Sequence, residues 1–234
     1  MGTFAGKRIV ITGASRGVGF ESAKRFLAQG ALVFGTARDA ARLEQASVEL
    51  NKIGSFKPFV ADMADPGAPK AIADAGSRHW AAVDILINNA AVQTWKKDWL
   101  AEGMEMLEQQ MRINVYAPHF LTWHLLPLLR NGDEPRVINV SSGAGCFKAL
   151  VETPDMPTYR LTKYALNGAT ILWAGELKGE ISVLSLDPGW LKTDLGGPNA
   201  PGEPADGGER MLEICGLPWE VTGKFYHGDK EIAF

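Results

Sequence analysis

The run Lys7-Arg8-Ile9-Val10-Ile11-Thr12 leads without a break into Gly13-Ala14-Ser15-Arg16-Gly17-Val18-Gly19, and a helix-length segment begins at Phe20. A short apolar run bounded by turn residues reads as a buried strand, and the residues after the glycines as the first turns of a helix. Glycines between the two let the backbone turn tightly and come close to an anion. The helix they open presents free amide N–H groups to that anion, as a pyrophosphate site requires. The spacing Gly-x-x-x-Gly-x-Gly differs by one residue from the commoner dinucleotide fingerprint. Taken alone, the loop therefore leaves a plain strand-to-helix turn open.

Outward from this loop, apolar strand-like runs recur near Ile9 and at residues 32–36, 56–60, 83–88, 136–140, 181–186 and 224–226, with helix-length segments between them. That alternation is the pattern of a parallel sheet covered on both faces. It predicts one α/β domain over residues 1–234: a Rossmann-like, doubly wound, seven-stranded parallel sheet. Residues 196–208 are rich in Gly and Pro and read as a mobile loop, because a further helix and strand follow.

Tyr159 and Lys163 are four apart, so on a helix they share a face. A nearby ammonium favours the phenolate and lowers the tyrosine pKa toward working pH, as a general acid or base needs. This spacing alone is unspecific; its context carries the weight. Upstream, a strand ends in Val140-Ser141-Ser142. Strand neighbours face opposite sides, so one of the two serines faces any site there.

Together these segments resemble the short-chain dehydrogenase/reductases along nearly the whole chain. Asn88-Asn89-Ala90-Ala91 is similar to that family's Asn-Asn-Ala-Gly motif, with alanine in place of the final glycine. Asn114, Ser142, Tyr159 and Lys163 match its catalytic residues, and Pro188-Gly189 with Thr193 matches its nicotinamide-side loop. The resemblance implies a nicotinamide cofactor held by Gly13, Ser15, Arg16, Gly17, Val18, Gly19, Asn89 and Ala90, with Asp62 and Met63 at the adenine. It implies hydride exchange with a carbonyl or alcohol carbon, Ser142 bonding the substrate oxygen, Tyr159 giving the proton and Lys163 holding the ribose. Asn114 would place a water that refills the proton. A purely structural hydrogen bond within a helix is the other reading of Asn114, and a turn before a helix the other reading of Asp62.

Cofactor choice rests on the end of the second strand, where an NAD enzyme carries an acidic residue for the ribose hydroxyls. Arg38 stands there and Arg16 lies in the glycine loop. Two guanidinium groups suit a 2′-phosphate, so NADP(H) is expected ahead of NAD(H). Asp39 is the rival, one residue on.

Composition excludes several classes. A net charge of −3 gives no reason to expect nucleic acid. Cys146 and Cys215 make no disulfide framework or metal quartet, and the four histidines lack ligand spacing. No apolar run is long enough for a bilayer, the first strand starts too early for a signal peptide, and Met1-Gly2 lacks the Ser or Thr of a myristoylation motif at position six, which is Gly6. A cytoplasmic enzyme acting on a small molecule, without metal or membrane, is expected.

Ser142 and Tyr159 are seventeen positions apart, a few more than in the commonest relatives, so the loop 146–155 is expected to border the substrate. Gln93, Trp95, Phe147 and Trp190 flank the matched motifs as candidate pocket residues. The carbonyl-reductase branch is the most similar. Helices over about 105–129 and 158–178 carry surplus apolar residues, including Leu161, Ala165, Leu172 and Trp173. The resemblance implies a homodimer through them; the alternative is one wide face packed on the sheet. Two other functions share the fold: a non-catalytic nucleotide sensor, and a lyase or epimerase using its nucleotide internally. The four matched catalytic residues weigh against the first, and the short C-terminal part against the second.

Overall fold

The computed structural model describes residues 4–95, 98–153 and 155–234. Met1-Gly2, and Pro154 of the loop before Tyr159, lie outside them.

The chain alternates β1 (Arg8–Thr12), α1 (Gly17–Ala28), β2 (Leu32–Ala37), α2 (Ala40–Leu50), β3 (Phe56–Val60), α3 (Ala68–His79) and β4 (Ile85–Asn88). Then come α4 (Trp99–Met111), a π-helical turn (Arg112–Tyr116), α5 (Ala117–Leu129), β5 (Arg136–Val140), α6 (Phe147–Glu152), α7 (Pro157–Glu176) and β6 (Ser182–Leu186). The last elements are α8 (Pro204–Cys215), β7 (Lys224–His227) and β8 (Lys230–Ile232). The sheet order is β3-β2-β1-β4-β5-β6-β7-β8, parallel except for the final antiparallel pair.

Side-chain alternation sorts the core into two layers. Ile9 and Ile11 of β1 face Phe26, Leu43, Met211 and Ile214 on α1, α2 and α8. Val10 between them faces the other way, with Ile72, Leu121, Leu125 and Trp173 on α3, α5 and α7. Pro58 lies in β3 at the sheet edge, where a missing N–H breaks no interior ladder. Among the described residues, no helix is long and apolar enough to cross a membrane.

Three expectations are corrected. The sheet has eight strands, not seven, because Gly228 with φ 64 turns the chain back after β7. Gly-Asp between two short runs is a hairpin signal, but Lys-Glu-Ile carries no apolar pattern to flag β8. The segment before Tyr159 includes the helix α6 rather than being loop throughout. Residues 204–208 begin α8 and are not loop: a Cβ on Gly207 would meet Val18 at 2.8 Å, and one on Gly208 the backbone of Glu21 at 2.9 Å. Those glycines let α8 lie close on α1. Trp173 also points inward, donating its indole N–H to His119 at 3.1 Å, whereas Leu161 and Leu172 are exposed.

Candidate active site

The C-terminal ends of the strands open onto a cavity of about 1130 Å³. It lies at the crevice where strand order reverses between β1 and β4, the usual ligand position in such sheets. Gly13, Ser15, Arg16, Gly17, Val18, Arg38, Asp62 and Met63 line it from the β1–β3 side. Asn89, Ala90, Ser142, Tyr159, Lys163, Pro188, Gly189 and Thr193 line it from the β4–β6 side. Of the expected site residues, Gly19 and Asn114 stand behind this wall.

The glycine loop is held from below. Gly13 has φ 70, and a Cβ there would sit 2.9 Å from Asn89 Nδ2. A Cβ on Gly19 would overlap the Gly13 carbonyl oxygen. Asn89 Nδ2 donates to the carbonyls of Thr12 and Gly13 at 2.8 and 3.2 Å. Thr12, which sequence reasoning missed, accepts the N–H groups of Asn89 and Ala90 on its hydroxyl, each at 3.0 Å. A threonine at the last strand position before the glycines was the available signal.

Arg16, Arg38 and Arg42 crowd one end of the cavity. The Arg16 guanidinium is held below its ordinary pKa by burial and then by the like charges of Arg42 and Arg38. Asp194 pairs with Arg16, and with Arg42 at 3.5 Å. Three cations at one end of the cavity fit a phosphate dianion. Arg42 was the second residue missed; one turn into α2, it carries no motif. The rival Asp39 caps α2, accepting the Arg42 N–H at 3.0 Å. Asp62 accepts the Ala64 N–H at 3.0 Å, so its turn role is present beside its place in the wall.

At the other end, α7 starts at Pro157 after Met156 in left-handed conformation, φ 49. Met156 supplies no cap; Glu102 of α4 accepts the Thr158 N–H at 2.9 Å instead. One turn on, Tyr159 and Lys163 are buried side by side, the Nζ atom 5.7 Å from the phenol ring centre. Lys163 Nζ donates to the Val140 carbonyl at 2.7 Å. Ser141 gives its hydroxyl proton to the Lys163 carbonyl at 3.3 Å, while Ser142 accepts the Ala144 N–H at 3.1 Å and interacts with the Tyr159 phenol. The serines thus divide, Ser141 into α7 and Ser142 toward the tyrosine.

The expected cation effect on Tyr159 is overturned in this structure. Burial pushes the phenol pKa up, the Ser142 hydroxyl opposes this, and Asp187 adds to it. The same burial pulls Lys163 down to about 7, with Asp187 acting against that fall. Burial disfavours the charged form of each group, the phenolate and the ammonium alike.

Asn114 sits in the π-helical turn with 1% of its surface exposed. Its Oδ1 accepts the Val92 N–H at 2.9 Å, and its Nδ2 donates to the Val92 carbonyl at 2.9 Å and to Thr162 at 3.0 Å. It pins the loop after β4 to α7, so its bonds run between elements and not within one helix. Gln93, Trp95 and Trp190 line the cavity; Phe147 does not, and leans toward Tyr164 with ring centres 6.5 Å apart. Gln93 Nε2 donates to the Leu195 carbonyl at 2.5 Å, joining the two loops across the opening. Among the described residues, no His, Cys, Asp or Glu cluster could hold a metal ion.

The family model of the short chain dehydrogenases matches residues 7–203. A 3-oxoacyl-[acyl-carrier-protein] reductase of rhamnolipid biosynthesis from Pseudomonas aeruginosa is 34% identical over 192 residues, covering 80% of this chain and 73% of its own. Carbonyl reductase [NADPH] 1 of Sus scrofa is 27% identical, covering 96% of this chain and 92% of its own. Among solved structures, a blue fluorescent protein from a metagenomic library in complex with NADPH superposes with TM-score 0.85 at 25% identity, covering 97% and 98% of the two chains.

Proposed function

The chain belongs to the short-chain dehydrogenase family, and from that premise we propose that it is an NADPH-dependent reductase of aldehydes or ketones. The supporting observation is one cavity with Arg16, Arg38 and Arg42 at one end and Ser142, Tyr159 and Lys163 at the other. Relatives named for NADPH support the cofactor.

NADPH bound there supplies the hydride, the redox chemistry that no side chain offers. The glycine loop and its arginines would hold the phosphates of that cofactor. Thr193 and the Pro188-Gly189 turn would take its nicotinamide side, and Lys163 its ribose. Ser142 donates a hydrogen bond to the carbonyl oxygen, and Tyr159 gives that oxygen its proton. A phenol whose pKa burial has raised remains protonated at neutral pH, the form that an acid must have. Trp95 and Trp190 offer apolar surface to the body of the substrate.

Purified protein mixed with NADPH and a panel of aldehydes, ketones and diketones tests this by the loss of nicotinamide absorbance. Turnover faster with NADPH than NADH is expected. Binding without turnover on any carbonyl would instead favour the sensor reading.

A homodimer belongs to the same proposal. Tyr116, Phe120 and Trp123 around α5, and Ile171 and Leu172 on α7, are exposed large apolar residues on the two helices expected to pair. Twice the chain mass in light scattering at micromolar concentration is expected, and the mass of one chain rejects it.

A further inference from the structure

Arg160 stands one residue after Tyr159 on α7 and is buried, with 8% of its surface exposed. A buried guanidinium needs partners for its charge and for its donors. Here they come from two separate places. Nε donates to the Asp155 carbonyl at 2.7 Å, and Nη2 donates to Asp155 Oδ1 at 2.5 Å in an ion pair. Nη1 donates to the Ala144 carbonyl at 3.4 Å. Ala144 and Asp155 stand on either side of the segment that carries α6, so one side chain joins its two ends.

The body of that segment is lightly packed. α6 buries none of its residues, and Phe147 and Val151 are 61% and 72% exposed. The upstream end is fixed on α7: a Cβ on Gly145 would sit 2.7 Å from the Lys163 backbone, and Asn167 Nδ2 donates to the Gly145 carbonyl at 3.2 Å. The downstream end is fixed by Arg160. Between and at these ends, Ala144, Ala149, Asp155 and Met156 line the cavity, as does Arg160 itself. The wall beside Tyr159 is thus carried by an element without a core of its own. Such an element opens easily unless its ends are held.

We propose that Arg160 is a specificity-determining residue: by clasping Asp155 to the Ala144 carbonyl it fixes the cavity wall beside Tyr159, and so selects which carbonyl compounds reach the tyrosine. Its effect on substrates rests on the carbonyl-reductase reading; its effect on the wall does not.

The test begins with amide hydrogen exchange in the free protein. It follows Leu150 and Thr153, whose N–H groups bond the Cys146 and Ala149 carbonyls at 3.1 Å inside this segment. Arg160→Met keeps an unbranched stem and removes the charge and the donors. Both amides should exchange about tenfold faster, the scale of one hydrogen bond to a charged group, while the amides of β1 keep their rates. Asp155→Ala should do the same, and the double variant no more than either, because partners in one contact are not additive. Arg160→Lys should fall between, since an ammonium lacks the planar fork that serves both ends at once. With NADPH and ketones of increasing size, Arg160→Met should raise the carbonyl KM about tenfold and narrow the difference between small and bulky ketones. The Kd for NADPH should not change, because Arg16, Arg38 and Arg42 lie at the other end of the cavity. A merely structural role would lower the unfolding midpoint and leave the ranking of ketones in place.

Unchanged exchange at both amides in folded Arg160→Met overturns the proposal. Should that variant fail to fold, Asp155→Ala, whose side chain is half exposed, decides by the same criterion. Faster exchange with an unchanged ranking of ketones overturns the specificity role. Faster exchange in a protein that reduces no carbonyl supports the clasp and overturns the reductase reading alone.

Discussion

The two halves of the sheet build their shares of the cavity from different materials. Around β1 to β4 the wall is largely backbone: glycines that leave room, and Thr12 and Asn89 stitching neighbouring strand ends together. Around β5 to β8 it is side chains that reach across the fold, such as His227 to Asp187, and Gln93 from the opposite half to the Leu195 carbonyl. A backbone requirement leaves its mark on the residue that meets it, because only glycine satisfies it. A meeting of side chains leaves no mark on either partner.

The sharpest way to break this contrast is one methyl group in the first half. Gly19→Ala places a Cβ against the Gly13 carbonyl oxygen, and backbone on both sides must move. Overpacking costs up to about 3 kcal/mol, occasionally more, and backbone on both sides puts this site at the upper end. Thermal unfolding should show a lower midpoint and no further rise on adding NADPH. A normal midpoint with a normal NADPH response would mean that the loop is more yielding than its packing implies.

In the second half, function should fail without the fold failing. Tyr159→Phe keeps the buried ring and removes the proton, so folding and NADPH binding should survive while kcat for carbonyl reduction falls by about 10²-fold, or about 2.7 kcal/mol. Near-normal turnover in this variant would reduce Tyr159 and Lys163 to neighbours on a helix.

The arginine end joins the two kinds of wall, and its expected effect is smaller. Arg38→Ala should weaken NADPH binding roughly tenfold, about 1.4 kcal/mol, and leave NADH almost unchanged. The remaining guanidinium groups, Arg16 and Arg42, still face the same end of the cavity. Titration of both cofactors by fluorescence measures this, and an unchanged preference would shift the selectivity to those two.

These differences explain what was legible. All seven parallel strands lie within two residues of their expected positions, because apolar runs between turn residues are a one-dimensional signal. The glycine loop and the Tyr159–Lys163 turn were legible for the same reason: each is a short local pattern. Arg42 and the Glu102 cap on α7 were not, since their meaning depends on chain 50 or more residues away in space or sequence. Burial also raises the Tyr159 pKa, where spacing alone suggests a fall. Spacing reports that a cation is near, but not how much water remains.

The smallest expected effect uses the same substitution in the other half. Gly228 turns β7 into β8 with φ 64, and a Cβ there would approach Glu213 Oε2 at 2.8 Å. That atom is the far end of a flexible side chain, which can swing away, so the cost of Gly228→Ala is the backbone conformation alone. A left-handed conformation in a residue with a Cβ costs about 1 kcal/mol. The β8 strand is short and lies at the sheet edge, so no other strand depends on it. Denaturant unfolding should give an unfolding free energy lowered by that amount, with kcat and KM unchanged. His227 stands one residue before this glycine and holds Asp187. A drop in kcat larger than the loss of stability explains would therefore mean that the hairpin sets the position of His227, and that the second half, like the first, writes part of its site in backbone.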